Sequence, residues 1–137
     1  MINIDINEIE DIERLNEINE INILTINIKI KNFKLFENIK INVDTLDCSY
    51  NQIQSFEGLN MNNVDTLDCS HNQIQSFEGL KVKINELYCS GNQIQSFKNL
   101  KVDINILDCS YNNINSFEGL KVDINKMNCS HNQIISF

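Results

Sequence analysis

From Val43 onward the apolar residues fall at one fixed set of offsets. The unit reads apolar-x-x-Leu-x-Cys-x-x-Asn-x-Ile-x-x-Phe-x-x-Leu and opens at Val43, Val64, Ile84, Ile104 and Ile124, in steps of 21, 20, 20 and 20 residues. The apolar-x-x-Leu-x-Cys opening of each copy predicts a short parallel strand with Leu and Cys pointing inward and the residue between them outward. Asn51, Asn72, Asn92, Asn112 and Asn132 follow, where the chain turns away and the backbone of a closed coil needs partners. Phe36, Phe56, Phe77, Phe97, Phe117 and Phe137 recur at one slot and predict a stacked apolar spine. Asn38, Gly58, Gly79, Asn99 and Gly119 share the slot after it, a pairing of residue types that predicts left-handed backbone in a return turn. The return segments are too short for a good α-helix, so turns, extended chain and single 3-10 turns are expected there.

Upstream the pattern loosens. Ile23 opens a degenerate copy in which Ile23, Ile26, Ile28, Phe33, Phe36 and Ile39 take the apolar slots and Lys31 replaces the Asn. Residues 1–22 fall outside the repeat phase. Asp5 or Asn7, with Glu8 or Glu10 three residues on, suggests a capping box and a helix over roughly 7–20. Its apolar residues Ile6, Ile9, Ile12, Leu15, Ile18 and Ile21 are spaced by three, however, which drifts around a 3.6-residue helix.

The repeat length and the order of Leu, Cys and Asn resemble the leucine-rich repeat pattern L-x-x-L-x-L-x-x-N/C-x-L, with Cys in place of the third Leu. The resemblance covers about the last hundred residues. It implies an α/β-type, right-handed solenoid with a parallel concave sheet and little helix on its convex side. A capping segment over 1–22, expected to be helical, would precede an array over 23–137 of one degenerate and five clear repeats. The role it implies is protein–protein interaction through the concave face. A structural or self-assembling solenoid that works through its ends, or a recognition arm of a longer effector, is the alternative.

Composition changes this picture little. Asn, Ile and Lys are abundant, Ala, Pro and Trp are absent and Arg occurs once, biases that follow A+T-rich codons. The net charge of −8 is uneven: residues 1–20 hold seven acids against Arg14, leaving −6 there and −2 on the rest. No basic stripe exists to meet phosphates, so neither nucleic acid nor an anionic membrane surface is an expected partner. The acidic N-terminus lacks the basic flank and apolar core of a targeting peptide, so a cytoplasmic or otherwise intracellular protein is expected.

Cys48, Cys69, Cys89, Cys109 and Cys129 form a ladder with Cα atoms about 4.8 Å apart, for which a disulfide is geometrically conceivable. Their core slot and odd number point to packed free thiols. The outward columns are where binding would sit. Asp47, Asp68, Tyr88, Asp108 and Asn128 lie between Leu and Cys. Tyr50, His71, Gly91, Tyr111 and His131 follow the Ser after each Cys. Together they make a mildly acidic, hydroxyl-rich strip edged by rings, suited to a protein or peptide of basic character. His71 and His131 are three coils apart, about 14 Å, too far to share a proton-transfer site. With no phosphate loop, metal-ligand spacing or nucleophile elbow, no catalytic residue, metal or cofactor is expected. The last repeat stops at Phe137, before the Leu and return turn of the earlier copies, which suggests a homodimer through an open C-terminal edge.

Overall fold

The computed structural model describes residues 1–135. The expected end of the Phe spine, Phe137, lies outside them. Seven strands form one parallel sheet in sequential order: β1 Asn3–Ile6, β2 Glu20–Ile26, β3 Asn42–Asp47, β4 Asn63–Asp68, β5 Ile84–Tyr88, β6 Ile106–Asp108 and β7 Lys126–Asn128. Each strand pairs with the same position of the next copy, Leu46 with Leu67, Leu67 with Leu87, Leu87 with Leu107 and Leu107 with Met127. A fixed repeat length therefore becomes a fixed register, and the chain is a solenoid of stacked coils.

The core runs the length of the stack as columns. Leu46, Leu67, Leu87 and Leu107, Cys48, Cys69, Cys89 and Cys109, and Ile53, Ile74, Ile94 and Ile114 are all fully buried. Phe36, Phe56, Phe77 and Phe97 are buried behind them, and the rings of Phe77, Phe97 and Phe117 stack at 6.3 and 5.8 Å. The five thiols are free, and Cys129 is only half-buried.

Each Asn ties two coils together. Asn92 donates from Nδ2 to the carbonyls of Cys69 and Cys89 at 3.0 Å and of Ser90 at 3.3 Å, while its Oδ1 accepts from the Ile74 N–H at 2.9 Å. Asn72, Asn112 and Asn132 repeat this arrangement. One amide thus satisfies backbone groups that the turn would otherwise leave buried and unpaired.

The return turns close with Leu59, Leu80, Leu100 and Leu120 donating to the carbonyl of the Phe three residues back, each at 3.1 Å. Gly58, Gly79, Asn99 and Gly119 hold the left-handed position these turns need, with φ between 72° and 88°. Asn38 is not among the left-handed residues. Its coil makes a short 3-10 helix, Lys34–Phe36, closed by a bond from the Glu37 N–H to the Lys34 carbonyl, and keeps the return-turn bond, here from the Ile39 N–H to the Phe36 carbonyl.

The N-terminal half corrects the sequence reading in three places. Residues 3–6 form a strand of the same sheet, because Ile4 and Ile6 pair in register with Leu24 and Ile26 and turn their side chains inward. The helix that follows, Ile9–Glu17, is 3-10. Its three-residue turn makes one stripe of residues spaced by three, so Ile12 and Leu15 are buried and the apparent drift disappears. Glu8 is its N-cap, and the Asp11 carboxylate accepts from the backbone N–H groups of Asn7 and Glu8 at 2.9 and 3.1 Å. Those two donors hold the Asp11 carboxyl below its ordinary value. Finally, the degenerate coil is phased from Ile21, not Ile23. Ile21 pairs with Val43 and Leu24 with Leu46, whereas Ile23 faces out. Lys29, and not Lys31, then stands three residues after the inward Ile26, as Asn51 stands after Cys48, and its ammonium donates to the Tyr50 carbonyl.

Candidate functional site

The outward columns lie on the open face of the sheet. Asp47, Asp68, Tyr88, Asp108 and Asn128 are aligned by the strand register, each opposite the next. All five end their strand, and four of them also cap the turn that follows. The Asp47 Oδ1 accepts from the Ser49 N–H at 3.0 Å and its hydroxyl at 2.7 Å. Asp108 does the same for Ser110, Asp68 accepts the Ser70 N–H, and Asn128 accepts the Ser130 N–H. The Asp-Cys-Ser sequence is thus a side-chain-capped turn, and the acidic column owes part of its presence to folding. Tyr88 breaks the column and donates from its hydroxyl to Glu86 at 2.8 Å. That bond, with partial burial and the negative charges of Glu86, Asp108 and Asp68, raises its phenol above the ordinary value.

The ring column is placed by the backbone. Tyr50, His71, Gly91 and Tyr111 donate their N–H to the Ser carbonyl of the next coil at 2.8 to 3.1 Å, continuing the sheet ladder past its last strand residue. All five positions are left-handed: φ is 53° at Tyr50, 55° at His71, 66° at Gly91, 51° at Tyr111 and 52° at His131. Four of these are bulky residues in a conformation that disfavours them, and no residue-type signal in this slot announced it. The consequence is geometric. Tyr50 stacks on His71 with ring centroids 4.5 Å apart, and Tyr111 on His131 at 4.1 Å. Tyr50 and Tyr111 remain well exposed, at 67% and 59%. The two histidines are therefore in separate ring pairs and do not meet.

A second polar strip escaped the sequence reading. At the opposite ends of the strands, Asn63, Asp65, Lys83, Asn85, Asp103, Asn105, Asp123 and Asn125 line a groove of about 520 Å³. Its signal was a polar residue on either side of the apolar residue that opens each copy. Among the described residues no three His, Cys, Asp or Glu side chains gather as a metal site would require. The buried thiols are poor nucleophiles. Burial raises Cys48, Cys69 and Cys89 well above the ordinary value, and desolvation with the nearby Cys129 and Asp108 pushes Cys109 up to about 12. No described helix is long and apolar enough to cross a membrane.

A sheet of in-register copies, an asparagine ladder and a solvent-facing strip of acids and rings define a repeat solenoid. The family model for leucine-rich repeats matches residues 41–82, in two copies. The same geometry repeats on both sides of that stretch, so the chain carries a leucine-rich repeat solenoid, a fold that generally mediates protein–protein contacts. Neither the curated proteins nor the solved structures compared with it gave a match.

Proposed function

We propose that this chain is a protein-interaction module that engages its partner through the concave strip formed by Asp47, Tyr50, Asp68, His71, Tyr88, Asp108, Tyr111, Asn128 and His131. The partner is a protein or peptide of basic character. One observation carries the reading: four exposed ring residues are held in left-handed backbone, a conformation that costs about 1 to 2 kcal/mol per residue relative to an unstrained one. Nothing in the core requires rings there, since Gly91 supports the same coil. Local strain kept at exposed, stacked rings is what a recognition surface displays. In this reading the segment before β2 acts as the N-terminal cap of the array, and the free thiols, four of them fully buried, suit a reducing intracellular compartment. Quantitative capture by the intact chain and by a Tyr50→Ala, Asp68→Asn, Tyr111→Ala variant, in which Asn keeps the turn cap as Asn128 does, provides the test. The variant should retain its unfolding midpoint and lose at least about tenfold in affinity, as expected when anchor rings are truncated. Equal capture by both overturns the proposal.

A second reading rests on β7. Its outer edge pairs with no strand among the described residues, and Ile124, Met127, Cys129 and Ile134 beside it are only partly covered. Such an edge is a template for another strand, and a second copy paired through the same edge is the self-assembly this reading proposes. Sedimentation over a concentration series tests it. A concentration-dependent dimer that Ile134→Lys abolishes supports the pairing, and a monomer at high micromolar concentration removes it.

A further inference from the structure

The column of rings has a gap. Tyr50 stacks on His71 and Tyr111 on His131, but the coil between the pairs carries Gly91. No ring contact joins His71 to Tyr111 among the described residues. Their two positions are two coil steps apart, about 9.6 Å, close to what two of the observed ring spacings span. One planar group therefore fits between them. The outer face of Tyr111, on the side away from His131, looks across this space. His71 leans into it, its Nδ1 only 2.7 Å from where a Cβ on residue 91 would stand, so any side chain at that position displaces the imidazole.

Charge selects the occupant. The register places Tyr88 in the same coil, between Asp68 and Asp108, with Glu86 bonded to its hydroxyl. Asp68 uses one carboxylate oxygen for Ser70, and the other accepts no hydrogen bond among the described residues. Two cations approach the strip: Lys126 is opposite Ile106, and the Lys29 ammonium is held on the Tyr50 carbonyl, two coils before Gly91, so neither shares the coil of the slot. We infer that the Gly91 slot receives an arginine side chain of the partner, its guanidinium stacked between His71 and Tyr111 and paired with Asp68. A guanidinium is flat, permanently charged and weakly hydrated, and it offers donors in its own plane while its faces stack on rings. A lysine ammonium shares the charge without the plane, and an aromatic ring shares the plane without the charge. This inference rests on the concave strip being the recognition surface, and it adds the chemistry of the anchoring residue.

The test uses the isotopically labelled full chain and N-acetyl-arginine amide as the probe, followed at the Gly91 amide and the ring protons of His71 and Tyr111. Saturable shifts in the millimolar range are expected. N-acetyl-lysine amide and N-acetyl-citrulline amide should each bind at least about fivefold more weakly, because each lacks one of the two features. Gly91→Asn tolerates the left-handed backbone but displaces the His71 imidazole and fills the slot, so the folded variant should bind the arginine probe about tenfold more weakly. Should it fail to fold, Tyr111→Leu removes one wall of the slot and should weaken the probe likewise. Lysine binding as well as arginine, tighter binding of N-acetyl-tryptophan amide, no saturation, or full binding by the folded variants each overturns the inference. If capture depends on the concave strip while the arginine probe fails, only the arginine assignment is lost. If capture ignores the strip, the interaction reading falls whatever the probe does.

Discussion

Four cysteine thiols sit fully buried in the core, where burial keeps them protonated far above the ordinary value of 9.0. An unfolded chain ionises its thiols near that value while the folded one holds the protons. The native state then binds more protons than the unfolded state, so this contribution to stability is complete below pH 9.0 and declines as pH rises towards the folded values. Each thiol contributes a slope of at most about 1.4 kcal/mol per pH unit. Urea unfolding on either side of pH 9.0 should show that decline, and Cys69→Val should make it shallower. A stability that is flat through this range contradicts the buried-thiol column. Thiol titration offers a second view: Cys129, only half-buried, should react in the native protein, and all five should react after unfolding. Asn92 is the other residue with an outsized share. Replacing it with Ala removes one acceptor and three donor contacts from buried backbone, a loss of about 1 to 3 kcal/mol that chemical denaturation can measure.

At the scale of the element, the return turn and the strand end are each decided by a single left-handed residue. Gly58 and Gly79 occupy equivalent turns at φ 87° and 84°, but their surroundings differ. A Cβ on Gly58 would meet the Phe33 carbonyl carbon at 2.5 Å, because the degenerate coil crosses there and Phe33 donates to the Glu57 carbonyl. At Gly79 the nearest atom is 3.6 Å away. Gly79→Ala should therefore cost about 1 to 2 kcal/mol from backbone conformation alone. Gly58→Ala should cost about 1 to 3 kcal/mol more, through overpacking against backbone that cannot swing aside. Equal unfolding midpoints for the two variants contradict this difference. The 3-10 helix Ile9–Glu17 carries the same lesson, since its three-residue turn, and not an α-helical one, lets Ile12 and Leu15 share a buried stripe.

For the whole molecule, a solenoid is stabilised coil by coil and each coil depends on its neighbours. The strands shorten from six residues in β3 and β4 to three in β6 and β7, and burial declines with them at Phe117, Leu120, Val122, Met127 and Cys129. Native-state hydrogen exchange should follow this gradient, with Asn128 and Cys129 least protected and Leu46 and Leu67 most. Uniform protection from β2 to β7 would mean that the coils unfold as one unit.

What the sequence determined by itself was the repeat. A fixed order of Leu, Cys, Asn, Ile and Phe at a near-constant step allows one register only, since any slip would turn Leu46 or Cys48 from the core to solvent. The inward columns, the asparagine ladder, the glycine turns and the outward placement of the acids follow from that period. Tertiary structure decided the rest. The phase of residues 20–41 depended on which isoleucine meets Val43, a contact between coils that an Ile-rich stretch leaves undetermined. β1 needed β2 beside it before Ile4 and Ile6 had a core to enter. The left-handed backbone at Tyr50, His71, Tyr111 and His131 has no residue-type signal, and at the first three it goes with a bond from the residue's own N–H to the Ser carbonyl of the next coil, a contact between coils. The stacked rings and the gap at Gly91 exist only once the coils stand on one another, because they are relations between residues 20 to 40 positions apart in the chain.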